Sequence, residues 1–219
     1  MIEVVGVGAG GHALVVVEIV QQIDRYSIVG LLDADPKKKG TELLNVPILG
    51  DDSLLPDLYE RGVRQAFVAL GSVGIGSRRR NVYELLIQLG FEVIAAVHSS
   101  AVVSKSARLG NGVTVMATAV INANSQIGHN VIINTGAIVE HDCVVGDHVH
   151  VATGARLAGN VTVGTGSHIG AGSVVLQGRT IGENSIVGAG AVVVRDVPDD
   201  VVVMGVPARV YKRTGEVEP

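Results

Sequence analysis

The chain has no tryptophan, one cysteine, and only 3% aromatic residues over its 219 positions. A single cysteine, Cys143, excludes an intramolecular disulfide framework. Without large rings, a core has to be built from small and aliphatic side chains in narrow layers. A basic excess is also missing. The formal charge is -4, from 17 Lys and Arg against 21 Asp and Glu, which argues against a nucleic-acid binder. The basic run Arg78-Arg79-Arg80 stands beside an expected helix start and suits a phosphate contact better than a duplex. No apolar run is long enough to span a membrane. The opening Met1-Ile2-Glu3-Val4-Val5-Gly6 lacks the charged region and cleavage site of a signal peptide. The expectation is a soluble, cytoplasmic protein without membrane insertion.

Glycine is plentiful, at 29 residues, and so is one period. From Val103 to Val193 an aliphatic residue returns at every sixth position: Val103, Leu109, Val115, Ile121, Ile127, Ile133, and onward without a slip. Four positions after each stands a small residue or valine, such as Ala107, Val113, Ala119, Ser125 and Val131. A six-residue period fits neither a helix nor a simple meander. It is the signature of a parallel β-helix, in which three hexads make one triangular coil. Residues eighteen apart then stack on one face, and about five coils at ~4.8 Å give a column of roughly 25 Å. Such a column needs both ends covered. Residues 1–98 are expected to cap one end and the tail, 198–213, the other.

The first 98 residues read differently. Short apolar strands at 2–7, 27–32, 46–49, 65–70 and 91–96 alternate with helical patterns at 13–23, 51–60 and 77–89, which predicts an α/β unit with a parallel sheet. Directly after the first strand comes Gly6-Val7-Gly8-Ala9-Gly10-Gly11-His12, opening a helix. Asp33 follows at the end of the second strand, in the setting of a dinucleotide fingerprint. A helix N-terminus offers free amides to a phosphate, and an acid after the second strand suits a ribose hydroxyl or a base edge. Under a hundred residues supply only half of a dinucleotide fold, so a nucleotide or nucleotide sugar fits better than NAD. The glycines are also consistent with nothing more than a tight turn.

The ending Gly188-Ala189-Gly190-Ala191-Val192-Val193-Val194-Arg195-Asp196-Val197-Pro198, followed by Gly205-Val206-Pro207-Ala208-Arg209, resembles that of the hexapeptide-repeat acyltransferases. Gly8-Ala9-Gly10-Gly11-His12 and Val139-Glu140-His141-Asp142-Cys143 narrow the likeness. They point to the bacterial sugar acetyltransferases that include sialic acid O-acetyltransferases and UDP- or GDP-amino-sugar N-acetyltransferases. The resemblance covers essentially the whole chain. It implies an α/β Rossmann-like domain at 1–98 followed by a left-handed parallel β-helix at 99–219, and a homotrimer. It also implies acetyl-CoA as co-substrate, a sugar nucleotide as acceptor, and no metal. By the same likeness His141 is the catalytic base, Asp142 supports its imidazole, and His150 serves acetyl-CoA; Ala171 and Arg179 are further candidate contacts for acetyl-CoA. Gly10, Gly11, His12 and Asp33 serve the nucleotide sugar, and Gly71 at the end of the third core strand is a further candidate.

The residues agree with that chemistry. His141 lies two after the interior Val139 and so stands outside the column, where an imidazole with a carboxylate neighbour suits a general base. Eighteen residues on, one coil above, Gly159 places a backbone amide unshielded by a side chain of its own, a candidate oxyanion or thioester contact. Gln177 and Arg195 continue that face as a polar groove suited to a pantetheine arm. His150 falls half a coil away, so one ligand would meet both histidines only across a subunit interface. His129, His148 and His168 are expected to be solvated surface residues, and Cys143 an inward packing residue. Arg179 breaks the small-residue rule, either at a local kink or as a contact to CoA phosphates.

Overall fold

The computed structural model describes residues 1–72 and 77–215. They form two compact units, Met1–Ser72 with Ser77–Ser99, and the chain from Ser100 onward.

The first unit is a sheet with helices. Strands β1 (Ile2–Val7), β2 (Tyr26–Leu32), β3 (Glu42–Leu43), β4 (Val46–Gly50), β5 (Gln65–Val68) and β6 (Glu92–Val93) lie in the order β3-β4-β2-β1-β5-β6. All neighbours are parallel except the short β3–β4 hairpin. The order reverses at β1, which has β2 on one side and β5 on the other, so the C-terminal ends of these strands frame a crevice suited to a ligand. Helix α1 (Gly11–Gln21) buries Ala13, Val16, Val17, Ile19 and Val20. Helices α2 (Leu55–Glu60) and α3 (Ser77–Gln88) complete the unit, and Leu55, Leu58, Leu86 and Phe91 pack with Val5, Leu32 and Val68. The expected helix at 51–60 divides into a 3-10 turn, Asp52–Leu54, and α2, with the Asp51 carboxylate capping Ser53 N–H at 3.0 Å.

The second unit is a parallel β-helix. Two-residue rungs recur every six positions, and each pairs with the rung eighteen residues on. Val102–Val103 pairs with Val120–Ile121, Arg108–Leu109 with Gln126–Ile127, and Thr114–Val115 with Ile132–Ile133. The second residue of each pair points inward, and rows such as Ile121, Val139, Leu157 and Val175 are fully buried. Cross-coil hydrogen bonds, such as Val120 N–H to Ala137 C=O at 2.9 Å, satisfy the backbone. Buried serines at the inward small positions donate to carbonyls, as Ser125 does to Glu140 O at 2.7 Å and Ser167 to Gly182 O at 2.6 Å.

A second period accompanies the aliphatic one. Position 112 and every sixth residue after it, up to 190, has φ between 49° and 73°. These corners carry Gly, Asn, Asp, His or Thr, mostly the residues that tolerate the left-handed region. Near the top the repeat shortens from eighteen to sixteen, as Ile181 pairs with Val197 and Ile186 with Val202. Val201–Gly205 then turns through a cis Val206–Pro207 bond into the antiparallel Ala208–Arg213, so the tail adds a hairpin to the stack. Arg179 stands where this shortening begins. Its side chain, 39% exposed, turns out toward Asp196, with Nη1 3.7 Å from Oδ1, instead of filling an interior small-residue position.

Two surface expectations need correction. Arg79 is buried, and its guanidinium donates to Val68 O at 3.1 Å and Leu70 O at 2.6 Å, so it braces the end of β5 instead of meeting a phosphate. His168 is half-buried and packs edge-on against His150 with centroids 4.8 Å apart. Burial holds its pKa below the ordinary value. His148 is also half-buried, with Nδ1 3.0 Å from Asn130 Nδ2. His129 is exposed as expected, yet its Nδ1 accepts from Asn111 N–H at 2.9 Å.

Candidate active site

His141 and Asp142 occupy one corner of a coil, immediately after the rung Ile138–Val139 and Glu140. Asp142 is a left-handed corner, φ 59°, and this turn brings its short carboxylate back onto the neighbouring ring. Asp142 Oδ2 lies 2.8 Å from His141 Nδ1. Its other oxygen, Oδ1, accepts from Asn124 Nδ2 at 2.7 Å. These two hydrogen bonds, Asn124 first and His141 second, hold the carboxyl below its usual pKa. Asp142 therefore stays ionised and fixes which ring nitrogen carries hydrogen. With Nδ1–H donating to Asp142, the lone pair of a neutral imidazole is left on Nε2.

Glu140, before the histidine, is held differently. Its Oε2 accepts from Asn122 Nδ2 at 3.0 Å and from His141 N–H at 3.4 Å, so it braces the backbone and not the ring. Behind the corner, the Cys143 thiol is buried, donates to Ala158 O at 3.2 Å, and has a raised pKa from burial. It is a packing residue, with none of the features that make a thiolate.

The imidazole lies across Gly159. A Cβ built there would stand 2.7 Å from both Cε1 and Nε2 of His141, closer than real contacts allow. Gly159 is itself buried, with the histidine ring on the side where a Cβ would stand. Among the described residues no acceptor takes the Gly159 N–H. Imidazole Nε2 and an unpaired amide thus share one small region.

In the first unit, Gly10 caps α1 without a side-chain hydrogen bond, and no acid stands in the first turn. Among the described residues, a Cβ at Gly10 or Gly11 would meet nothing within 4 Å. Asp33 accepts from Ala9 N–H at 2.8 Å, Asp35 N–H at 3.0 Å and Lys38 Nζ at 3.0 Å. Lys38 also donates to Ala9 O at 3.1 Å, so the acid and the lysine together clamp the glycine loop. Beside Asp33 lies a cavity of about 240 Å³ that reaches Lys39, Gly50 and Asp51. His12 packs against Gly71, and its Nε2 is buried without a partner among the described residues. Burial, aided by the charge of Arg79, lowers its pKa to about 4.

The PglD N-terminal domain family matches residues 3–86, and the bacterial transferase hexapeptide family (six repeats) matches 124–159 and 142–177. Comparison with curated proteins gives no match. Among solved structures, the chain is similar to perosamine N-acetyltransferase from Caulobacter crescentus, seen as a histidine-to-asparagine mutant in complex with CoA and GDP-perosamine. The identity is 45% and the TM-score 0.89, over 95% of this chain and 96% of that one. The acetyltransferase domain of PglB from Neisseria gonorrhoeae FA1090 follows at 37% identity and TM-score 0.87, with 95% and 99% covered. WeeI from Acinetobacter baumannii AYE is 28% identical with TM-score 0.83, over 96% and 100% of the two chains. The chain belongs to the hexapeptide-repeat sugar acetyltransferases.

As in that family, the β-helix of this acetyltransferase is left-handed. Within the described residues no group of His, Cys, Asp or Glu could hold a metal ion, and no helix is long and apolar enough to cross a membrane. Of the residues expected to act, His141, Asp142 and Gly159 converge on one point. His150 does not join them. It is 7% exposed on another face, with Nε2 3.0 Å from Asn134 Nδ2 and His168 against its ring. Ala171 is exposed at a further corner, and Arg179 pairs with Asp196. Gly10, Gly11, His12, Asp33 and Gly71 gather at the crevice end of the sheet. Asn124, Asn134 and Lys38 were not anticipated. Counting eighteen back from Asp142 finds Asn124, but nothing in the sequence marks Lys38 as the partner of Asp33.

Proposed function

We propose that this acetyltransferase moves an acetyl group from acetyl-CoA to the amino group of a nucleotide-linked amino-deoxy sugar. The observation that carries this reading is the His141 ring, pinned at Nδ1 by Asp142 with Nε2 beside the free amide of Gly159. The likeness to an enzyme crystallised with CoA and GDP-perosamine supports the acceptor class.

The reaction needs few parts. The sugar amine attacks the thioester carbonyl, and Nε2 of His141 takes the proton that the nitrogen loses. The C–N bond forms, and the carbonyl oxygen becomes an oxyanion that accepts from Gly159 N–H. Collapse breaks the C–S bond, and the proton on His141 passes to the departing sulfur, giving the amide and CoA thiol. Asp142 stays ionised and steadies the imidazolium in between. No covalent enzyme intermediate is required.

The α1 N-terminus, with Gly10 and Gly11, takes the phosphates, and the cavity beside Asp33 takes the nucleoside end. His12 and Gly71 shape the crevice next to it. His150, Ala171 and Arg179 serve acetyl-CoA. Because His150 lies half a coil from His141, the groove combines faces of neighbouring protomers in a homotrimer. Light scattering that finds a monomer under assay conditions would retire this shared groove.

The test is release of free thiol from acetyl-CoA over a panel of GDP-, UDP- and CMP-linked amino sugars, with the GDP-linked compounds first. One member is expected to turn over, and His141→Ala is expected to lower kcat by about 10²–10⁴-fold. Thiol release with none of them, or near-normal turnover in His141→Ala, overturns the reading. Acetylation of a hydroxyl in place of the amine would redirect it to O-acetyl transfer.

A further inference from the structure

Asp142 and its ring partner are both solvent-exposed, at 49% and 53% of their side chains. In such a setting a carboxylate ordinarily swings between protein and water, and a single hydrogen bond to an imidazole does little to hold it. Here the second oxygen is also occupied, by Asn124 Nδ2 at 2.7 Å. Asn124 is the residue eighteen positions earlier, one coil below, and it shares the left-handed corner geometry, with φ 60° against 59°. Its own backbone is fixed in turn, since Asn124 N–H donates to Ser106 Oγ at 3.0 Å, a further eighteen residues back. The corner residues Ser106, Asn124 and Asp142 thus form a hydrogen-bonded ladder that ends on the His141 ring.

We propose that Asn124 is a positioning residue, whose amide locks the Asp142 carboxylate and through it the orientation and tautomer of His141. Both carboxylate oxygens are tied, one to each neighbour, so the group cannot rotate without breaking a bond. Glu140 cannot substitute. Its held oxygen faces the His141 backbone N–H, and its own brace from below is Asn122. The depressed pKa of Asp142, for which Asn124 is the largest cause, keeps the carboxylate charged while it holds the ring. The amide does not touch substrate in this arrangement, and its effect on the reaction passes entirely through Asp142.

The inference rests on the reading of His141 as general base, and the experiment separates the two. Asn124→Gly removes the amide but suits the left-handed corner, so the coil is expected to persist and melting to stay close to wild type. The expected result is a kcat lower by about tenfold, with KM for both substrates changed by less than about twofold. In an Asp142→Ala background the same change is expected to cost nothing further, because the two residues act in series. Nitrogen-15 NMR of the imidazole gives an activity-independent readout, with the Nδ1–H form less populated in Asn124→Gly. Wild-type kcat in Asn124→Gly, or an equal loss in both backgrounds, overturns the proposal. If His141→Ala turns over normally, the base assignment itself fails, whereas an inactive His141→Ala beside a silent Asn124→Gly sinks only the role of Asn124.

Discussion

At position 159 the chain acts through the absence of a side chain. Gly159 is not among the left-handed glycines, so its backbone is open to any residue, and what excludes a Cβ is the imidazole above it. Gly159→Ala therefore keeps the N–H and the corner while forcing His141 to turn away from a contact of 2.7 Å. Displacement of a catalytic ring by a fraction of an ångström to one ångström costs up to ~10²-fold. We expect kcat in Gly159→Ala to fall by about 10–100-fold with melting little changed. Steady-state kinetics beside a thermal melt decide it. Wild-type kcat would place proton transfer elsewhere than at the observed ring position. His141 and Asp142 stand out in the sequence through the Glu140-His141-Asp142-Cys143 motif, and Gly159 through the eighteen-residue coil that serves as a ruler. The support of the imidazole by Asp142 came with the family likeness, whereas the positive φ that turns the carboxylate onto the ring is not encoded by the aliphatic period.

The elements divide by how local their causes are. Inward rows of the column follow from composition alone, because a six-residue period of Val, Ile and Leu has one way to bury them, and those rows are buried as expected. The corners follow from a second rule, visible afterwards as Gly, Asn, Asp, His or Thr at each sixth position from 112. Asn184, φ 49°, tests it. A non-glycine residue pays about 1–2 kcal/mol in the left-handed region, and asparagine pays less than most. Asn184→Ala is expected to destabilise the column by about 1 kcal/mol in denaturant titrations, while Asn184→Gly stays within a few tenths. Equal losses in the two variants would mean that the side chain, not the backbone, matters at that corner. Long-range pairings were illegible at this scale. Arg79 reads as a surface cation in a basic run but is drawn inward to carbonyls at the end of β5. Asp33 reads as a ligand for ribose, yet three of its acceptor sites serve Ala9, Asp35 and Lys38. Neither fact has a signature in spacing, because the loops after β1 and β2 bring Ala9 to Asp33, and the fold of α3 onto β5 brings Arg79 to Val68 and Leu70.

Taken whole, the molecule keeps an uncharged imidazole inside each of its two units, His12 in the first and His168 in the second, both with lowered pKa from burial. The consequence for stability has a definite sign. Well above the ordinary value of 6.5, His12 is neutral folded or unfolded, and pH changes little through it. As pH falls below 6.5 the unfolded chain takes up a proton that the folded chain refuses, so stability drops until the folded pKa of about 4, where the loss levels off. His168 pushes in the same direction. The carboxyls of Asp33 and Asp142 are held below their ordinary range and lose their contribution only at lower pH, while Asp52, raised by burial, acts in the opposite sense to His12 as pH falls, which is why the His12→Gln comparison is needed. For His12 the linkage comes to about 2 kcal/mol between pH 7 and pH 5. With no tryptophan, and with Tyr26, Tyr59 and Tyr83 in the first unit against Tyr211 alone in the second, tyrosine fluorescence reports chiefly on the first. Urea titrations followed that way are expected to lose about 2 kcal/mol from pH 7 to pH 5 in the wild type and much less in His12→Gln. The difference lies in the slope with pH, which separates it from any constant cost of the substitution. A slope as steep in His12→Gln as in the wild type would mean that His12 takes up its proton equally in the folded and unfolded chains, so that burial beside Gly71 does not hold its pKa down.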